Sequence, residues 1–156
     1  MSSTVYEIPM SDIGDGDTWL ADCSMRPDLV REVWALEGLA PIASGTLWLA
    51  TEVHLTTGMH AHTRIHPDMR GPFLVDPGVD LSWFLVPLST ATELADTRAP
   101  LVRPSGWRLP CPPTGRQACG RLWLTRPDGS GQLTDPSLLA AALRPGGHRL
   151  PSGEQA

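Results

Sequence analysis

A chain of 156 residues with 41% hydrophobic content is long enough for one domain with its own core. Its 12 basic against 17 acidic side chains, a formal net charge of −5, weigh against a surface built to neutralise duplex phosphates. Three cysteines without a Cys-x-x-Cys pair exclude a zinc ribbon, and a chain with no run of about 18 apolar residues is expected to be soluble, cytoplasmic and free of membrane contact.

Residues 1–24 read as a polar, flexible leading segment. Ser11-Asp-Ile-Gly-Asp-Gly-Asp17 sets three carboxylates among two glycines but lacks the order of a calcium-binding loop, so a solvated loop is expected. A single domain then spans 25–144, and 145–156 read as a disordered tail. The domain opens with a helix over 26–37: Ser24 as cap, Pro27 and Asp28 in the first turn, Gly38 as the left-handed stop. Its apolar stripe is Leu29, Val33 and Leu36, widened by Val30 and Trp34.

Residues 46–55 are rich in β-formers and nearly continuous in apolar side chains, which predicts a buried strand. A short helix over 58–66, stopped by Pro67, follows. Strands at 71–76 and 81–87 are joined by a hairpin loop at Asp76-Pro-Gly-Val-Asp80, and 89–96 give a helical turn or two before a loop at 97–106. Strands at 107–110 and 122–125 flank the bend Pro112-Pro-Thr-Gly115 and are expected to pair as a hairpin with Cys111 and Cys119 at its base. Alternation places Arg108 and Pro110 opposite Leu109, and Arg121 and Trp123 opposite Leu122. Thr134 or Asp135 caps a last helix with Pro136 in its first turn and Leu138, Leu139, Ala142 and Leu143 on its apolar face. The order of elements predicts an α+β domain, a mixed, largely antiparallel sheet with helices packed on it.

Candidate chemistry is sparse. His54, His60, His62 and His66 place four of the five histidines within 13 residues, with Asp68 just beyond. Imidazoles at this density suit zinc or another divalent metal held by His60, His62, His66 and Asp68; a solvated, histidine-rich helix is the plain alternative. On a strand His60 and His62 share a face, whereas on a helix His62 and His66 do. Glu52, Asp76 and Asp80 form a metal site only if the fold brings them within about 4–6 Å of one another. No phosphate loop, Gly-x-Ser-x-Gly or supported Cys-His pair occurs, so no catalytic residue is assigned and no cofactor is expected. A nucleic-acid-binding face, if present, consists of Arg103, Arg108, Arg116, Arg121 and Arg126, with Trp107 or Trp123 for stacking.

Five segments occur in order: Gly71-Pro-Phe-Leu-Val-Asp76, Trp83-Phe-Leu-Val-Pro87 with Ser89-Thr-Ala91, Arg108-Leu-Pro-Cys-Pro-Pro-Thr114, Gly120-Arg-Leu-Trp123, and Pro127-Asp-Gly-Ser-Gly-Gln-Leu-Thr-Asp-Pro136. Together, over roughly residues 30–143, they resemble the core of the bifunctional primase-polymerase N-terminal domain, especially the short, degenerate relatives from high-GC actinobacteria. The resemblance implies a primase-polymerase-like fold and a context in DNA replication or a mobile element. Active members of that family carry an acidic pair on one strand and a Ser-x-His motif. Here the corresponding strand, 46–55, holds Glu52 alone, and no Ser-x-His occurs. The expectation is therefore a catalytically inactive accessory or binding domain with a nucleic-acid or protein partner. The alternatives are a small metal-dependent hydrolase or transferase using His60, His62 and His66, and a protein-binding regulator with no nucleic-acid role.

Overall fold

The computed structural model describes residues 10–93 and 101–144. Residues 1–9, the 94–100 stretch and the expected disordered tail 145–156 lie outside the described residues. The elements, in chain order, are α1 (Met10–Asp22), α2 (Pro27–Ala35), β1 (Ala40–Ala43), β2 (Leu49–His54), α3 (Leu55–Arg64), a 3-10 turn (Pro67–Met69), β3 (Phe73–Asp76), β4 (Leu81–Val86), α4 (Thr90–Glu93), β5 (Leu101–Val102), β6 (Arg108–Cys111), β7 (Leu122–Thr125) and α5 (Pro136–Leu143). Five strands form an antiparallel sheet in the order β5-β2-β4-β3-β7, and β1 with β6 make a separate antiparallel pair. The expected α+β class is the one observed.

The central strands are apolar on both sides because both faces of the sheet are covered. On one face Ala50, Leu74, Trp83, Leu85 and Trp123 meet Leu20 and Ala21 of α1, Val30 and Trp34 of α2, and Ile42 and Leu109 of the β1–β6 pair. On the other, Leu49, Val53, Phe73, Val75, Phe84 and Val86 meet Ala61 and Ile65 at α3 and Leu139, Ala142 and Leu143 of α5. This double coverage explains the near-continuous hydrophobic runs in β3 and β4.

Several expectations are corrected. The leading segment is no solvated loop: α1 runs from Met10 to Asp22, and Leu20 and Ala21 are fully buried. Gly16 is there for close approach, since a Cβ at that position would collide with the Pro127 carbonyl. Asp17 fastens the helix to the proline bend, its Oδ1 accepting from the Thr114 amide (2.8 Å) and hydroxyl (2.7 Å).

In α2 the buried pair is Val30 and Trp34, while Leu29 and Leu36 face solvent. The left-handed residue that ends this helix is Glu37 (φ 63°), not Gly38, and the Gly38 amide donates back to the Val33 carbonyl at 2.9 Å. Ser24 is not its cap; the Ser24 hydroxyl accepts from the Arg26 amide instead. α3 begins at Leu55 directly from β2 and stops at Arg64, so His66 lies beyond it. The stretch read as a loop over 97–106 contains the short strand β5.

The largest correction concerns the proline bend. β6 and β7 do not pair: β6 runs beside β1 (Ala40↔Cys111, Ile42↔Leu109), and β7 runs beside β3 (Leu74↔Trp123, Val75↔Leu122). Pro112 and Pro113 offer no N–H to a ladder. The chain after them closes its own tight turn through Ala118 and Arg121, with Cys119 (φ 50°) and Gly120 (φ 82°) left-handed. Alternation within the strands is as expected, with Leu109 fully buried and Arg108 exposed, and α5 is capped by Asp135, whose Oδ1 accepts from the Ser137 amide at 2.7 Å.

Candidate functional site

The five-stranded sheet carries two carboxylates on the face turned towards α1 and α2. Glu52 sits in β2 opposite Trp83 of β4, and Asp76 ends β3. Each holds an arginine. Glu52 Oε1 accepts from the Trp83 indole N–H (2.9 Å), and both its oxygens accept from Arg103 Nη2 (3.2 and 3.1 Å). Arg103 directly follows β5 and is held beside β2 by its amide, which donates to the Ala50 carbonyl at 2.9 Å. Its guanidinium also lies 5.0 Å from the Trp107 ring.

Asp76 Oδ2 accepts from Arg121 Nε at 2.8 Å, and Arg121 Nη1 donates to the Pro110 carbonyl at 2.9 Å. The same guanidinium lies 4.3 Å from the centre of the Trp83 ring. The result is a continuous line across the sheet face: Arg103, Glu52, Trp83, Arg121, Asp76. Trp83 is its hub, donating at its nitrogen and offering its π-face to a cation.

Burial makes these pairs consequential. The Arg121 and Asp76 side chains are 12% and 11% exposed, and Glu52 is 13% exposed. A carboxylate so withdrawn from water is stable only with a counter-charge and satisfied lone pairs. Here the counter-charge is a guanidinium anchored on backbone or indole, so a dication would have to displace it. Asp80 does not join the other two: it is exposed in the β3–β4 turn, with φ 59°. Among the described residues no group of three or more His, Cys, Asp or Glu is placed to hold a metal ion.

The histidines disperse. His54 and His60 face solvent. His66 Nδ1 accepts from the Asp68 amide at 3.1 Å, closing the 3-10 turn. His62 is half-buried, stacked on Phe73 (4.6 Å between centroids) with Nε2 2.7 Å from Thr125 Oγ1. Burial, with Arg70 nearby, lowers its pKa to about 4. A hydroxyl beside an imidazole resembles a nucleophile and its base, but a base this weak is far from the optimum at neutral pH. The pair fastens α3 to β7.

The five expected arginines do not form one basic face. Arg103 and Arg121 are ion-paired internally. Arg116 donates to the Trp34 carbonyl at 2.7 Å. Arg108 stands exposed on β6, and Arg126 lines a cleft beyond the end of β7. Trp123 is buried with its N–H on the Pro112 carbonyl, so it is closed to stacking, and Trp107 lies beneath Arg103. The cysteines are free: Cys23 and Cys111 fill the core, where burial pushes both thiols up, and Cys119 is exposed.

The sequence singles out Glu52, Asp76, Arg103 and Arg121 but gives no sign that they pair, because the partners stand 51 and 45 residues apart. It does not mark Arg70, since an isolated arginine after a proline turn carries no local signal. Compared with known proteins, the chain matches no family model, no curated protein and no solved structure.

Proposed function

We propose that this chain is a catalytically inactive binding domain of primase-polymerase type, acting as an accessory factor in DNA replication or on a mobile element. The observation that supports it is the state of Glu52 and Asp76. Nucleotidyl transfer needs carboxylates free to clamp divalent cations, and both of these are engaged by internal arginines. The histidine-based hydrolase draws no comparable support, because His62 is tied to Thr125 and His66 to its own turn.

A protein partner is favoured by one further observation. Met25, Leu29 and Leu36, at and beside α2, are 97%, 45% and 84% exposed, apolar side chains available to a protein partner at this end of the fold. The test is template-directed nucleotide incorporation by the pure protein with magnesium or manganese, alongside anisotropy with single-stranded DNA. No incorporation above buffer is expected. Incorporation that disappears in Glu52→Gln refutes the reading.

A further inference from the structure

A second feature lies away from the carboxylate line. A cleft of about 290 Å³ opens between the 3-10 turn, the end of β7 and the 127–132 loop, with Trp19 of α1 on its wall. That volume falls just short of about 300 Å³, the size at which small-molecule sites usually begin. Two guanidiniums line it, Arg70 and Arg126.

Arg70 is oriented by its Nε, which donates to the His62 carbonyl (3.0 Å) and the Ile65 carbonyl (2.9 Å). Gln132 braces the same turn, its amide nitrogen donating to the Asp68 and Arg70 carbonyls at 2.9 Å each. Arg126 is partly buried, and its Nε is sealed from solvent with no hydrogen-bond partner among the described residues. Among the described residues neither arginine forms an ion pair, although Arg103 and Arg121 both do.

Two carboxylates also line the cleft. Asp128 Oδ1 accepts from the Ser130 amide at 2.9 Å, and Asp68 is 89% exposed with its oxygen 3.8 Å from His66. Both are exposed, and among the described residues neither is ion-paired to Arg70 or Arg126. Thr125 completes the wall, its hydroxyl against His62.

We infer that this cleft binds the phosphate group of a small phosphorylated molecule, gripped by the guanidiniums of Arg70 and Arg126. Planar forks with several N–H donors match a tetrahedral oxyanion. Binding would also supply the counter-charge that Arg126 lacks. This inference stands or falls independently of the polymerase-type reading.

The experiment titrates inorganic phosphate into the full chain, read by the indole N–H of Trp19 and the amide of Gly131 in NMR. Saturable binding is expected, with Kd raised at least about tenfold in Arg126→Gln. Arg108→Gln, which removes an exposed arginine outside the cleft, is expected to leave Kd unchanged. Should Arg126→Gln fail to fold, Arg126→Lys keeps the charge and loses the fork, and weaker phosphate binding is expected there too. No saturable binding, or binding that the Arg126 variant leaves as in the wild type, overturns the inference.

Discussion

Replacing Arg121 with methionine tests the carboxylate line directly. The substitution keeps a long apolar stem and removes the ion pair to Asp76, the hydrogen bond to the Pro110 carbonyl and the cation over Trp83. At an effective dielectric of about 20, opposite charges about 3.5 Å apart attract by about 5 kcal/mol, offset by the desolvation of both. What decides the outcome is the anion left behind. Among the described residues Asp76 then keeps the Gly78 amide alone as a donor to its carboxylate, and it stays nearly buried.

Breaking a buried pair from one side costs about 3–5 kcal/mol. In a chain of this length that corresponds to a fall in Tm of about 6–20 °C. Urea unfolding followed by circular dichroism measures the loss. Adding Asp76→Asn to Arg121→Met is expected to recover about 1–3 kcal/mol, because the stranded charge is then gone. Arg26→Ala is the control: it breaks a pair whose side chains are 65% and 69% exposed, and no measurable change is expected. A fall below about 1 kcal/mol in Arg121→Met, or strict additivity in the double variant, refutes the reasoning.

Other outcomes follow from the same structure. The His62 pKa falls from 6.5 to about 4 on folding, so the unfolded chain binds the extra proton between those values and stability drops as pH falls through that window. The full shift is worth about 3 kcal/mol, reduced to about 1–2 because the ring is only half-buried; urea midpoints from pH 7 to 4 read it, and His62→Gln is expected to flatten the profile. The two glycines of α1 should respond with opposite signs. Gly14→Ala meets open space and gains up to about 1 kcal/mol of helix propensity, whereas Gly16→Ala drives a Cβ into the Pro127 carbonyl and loses about 1–3 kcal/mol despite the same propensity gain. Equal effects at both positions would mean that α1 does not dock on the 127 loop.

What could be read from the sequence was whatever is decided locally. The apolar runs of β3 and β4, and Asp135 followed by Pro136 at the start of α5, announce themselves within a few residues. Partner choice does not. The bend at Pro112–Pro113 looks like a hairpin, yet β6 finds β1, a four-residue strand containing Pro41 that carries almost no signal of its own. The glycines and acids of α1 read as a loop because their reason lies elsewhere: Gly16 is small for Pro127 and Asp17 is acidic for Thr114.

In α2, apolar side chains at both 29/36 and 30/34 satisfy a helical stripe, and only the neighbouring sheet decides that Val30 and Trp34 go inside. The same holds for the site. Glu52 stood out as a lone acid in an apolar strand, but its arginine arrives from β5 and its indole from β4.

Arginines, not metal, balance Glu52 and Asp76, and the Trp83 indole N–H reports on that place because it donates to Glu52. Manganese titration monitored by paramagnetic broadening of the six indole signals tests it most directly. The expected result is a Trp83 resonance that broadens no more than the others at any manganese concentration that leaves the protein folded. Selective, saturable broadening of Trp83, abolished by Glu52→Gln, would contradict the account.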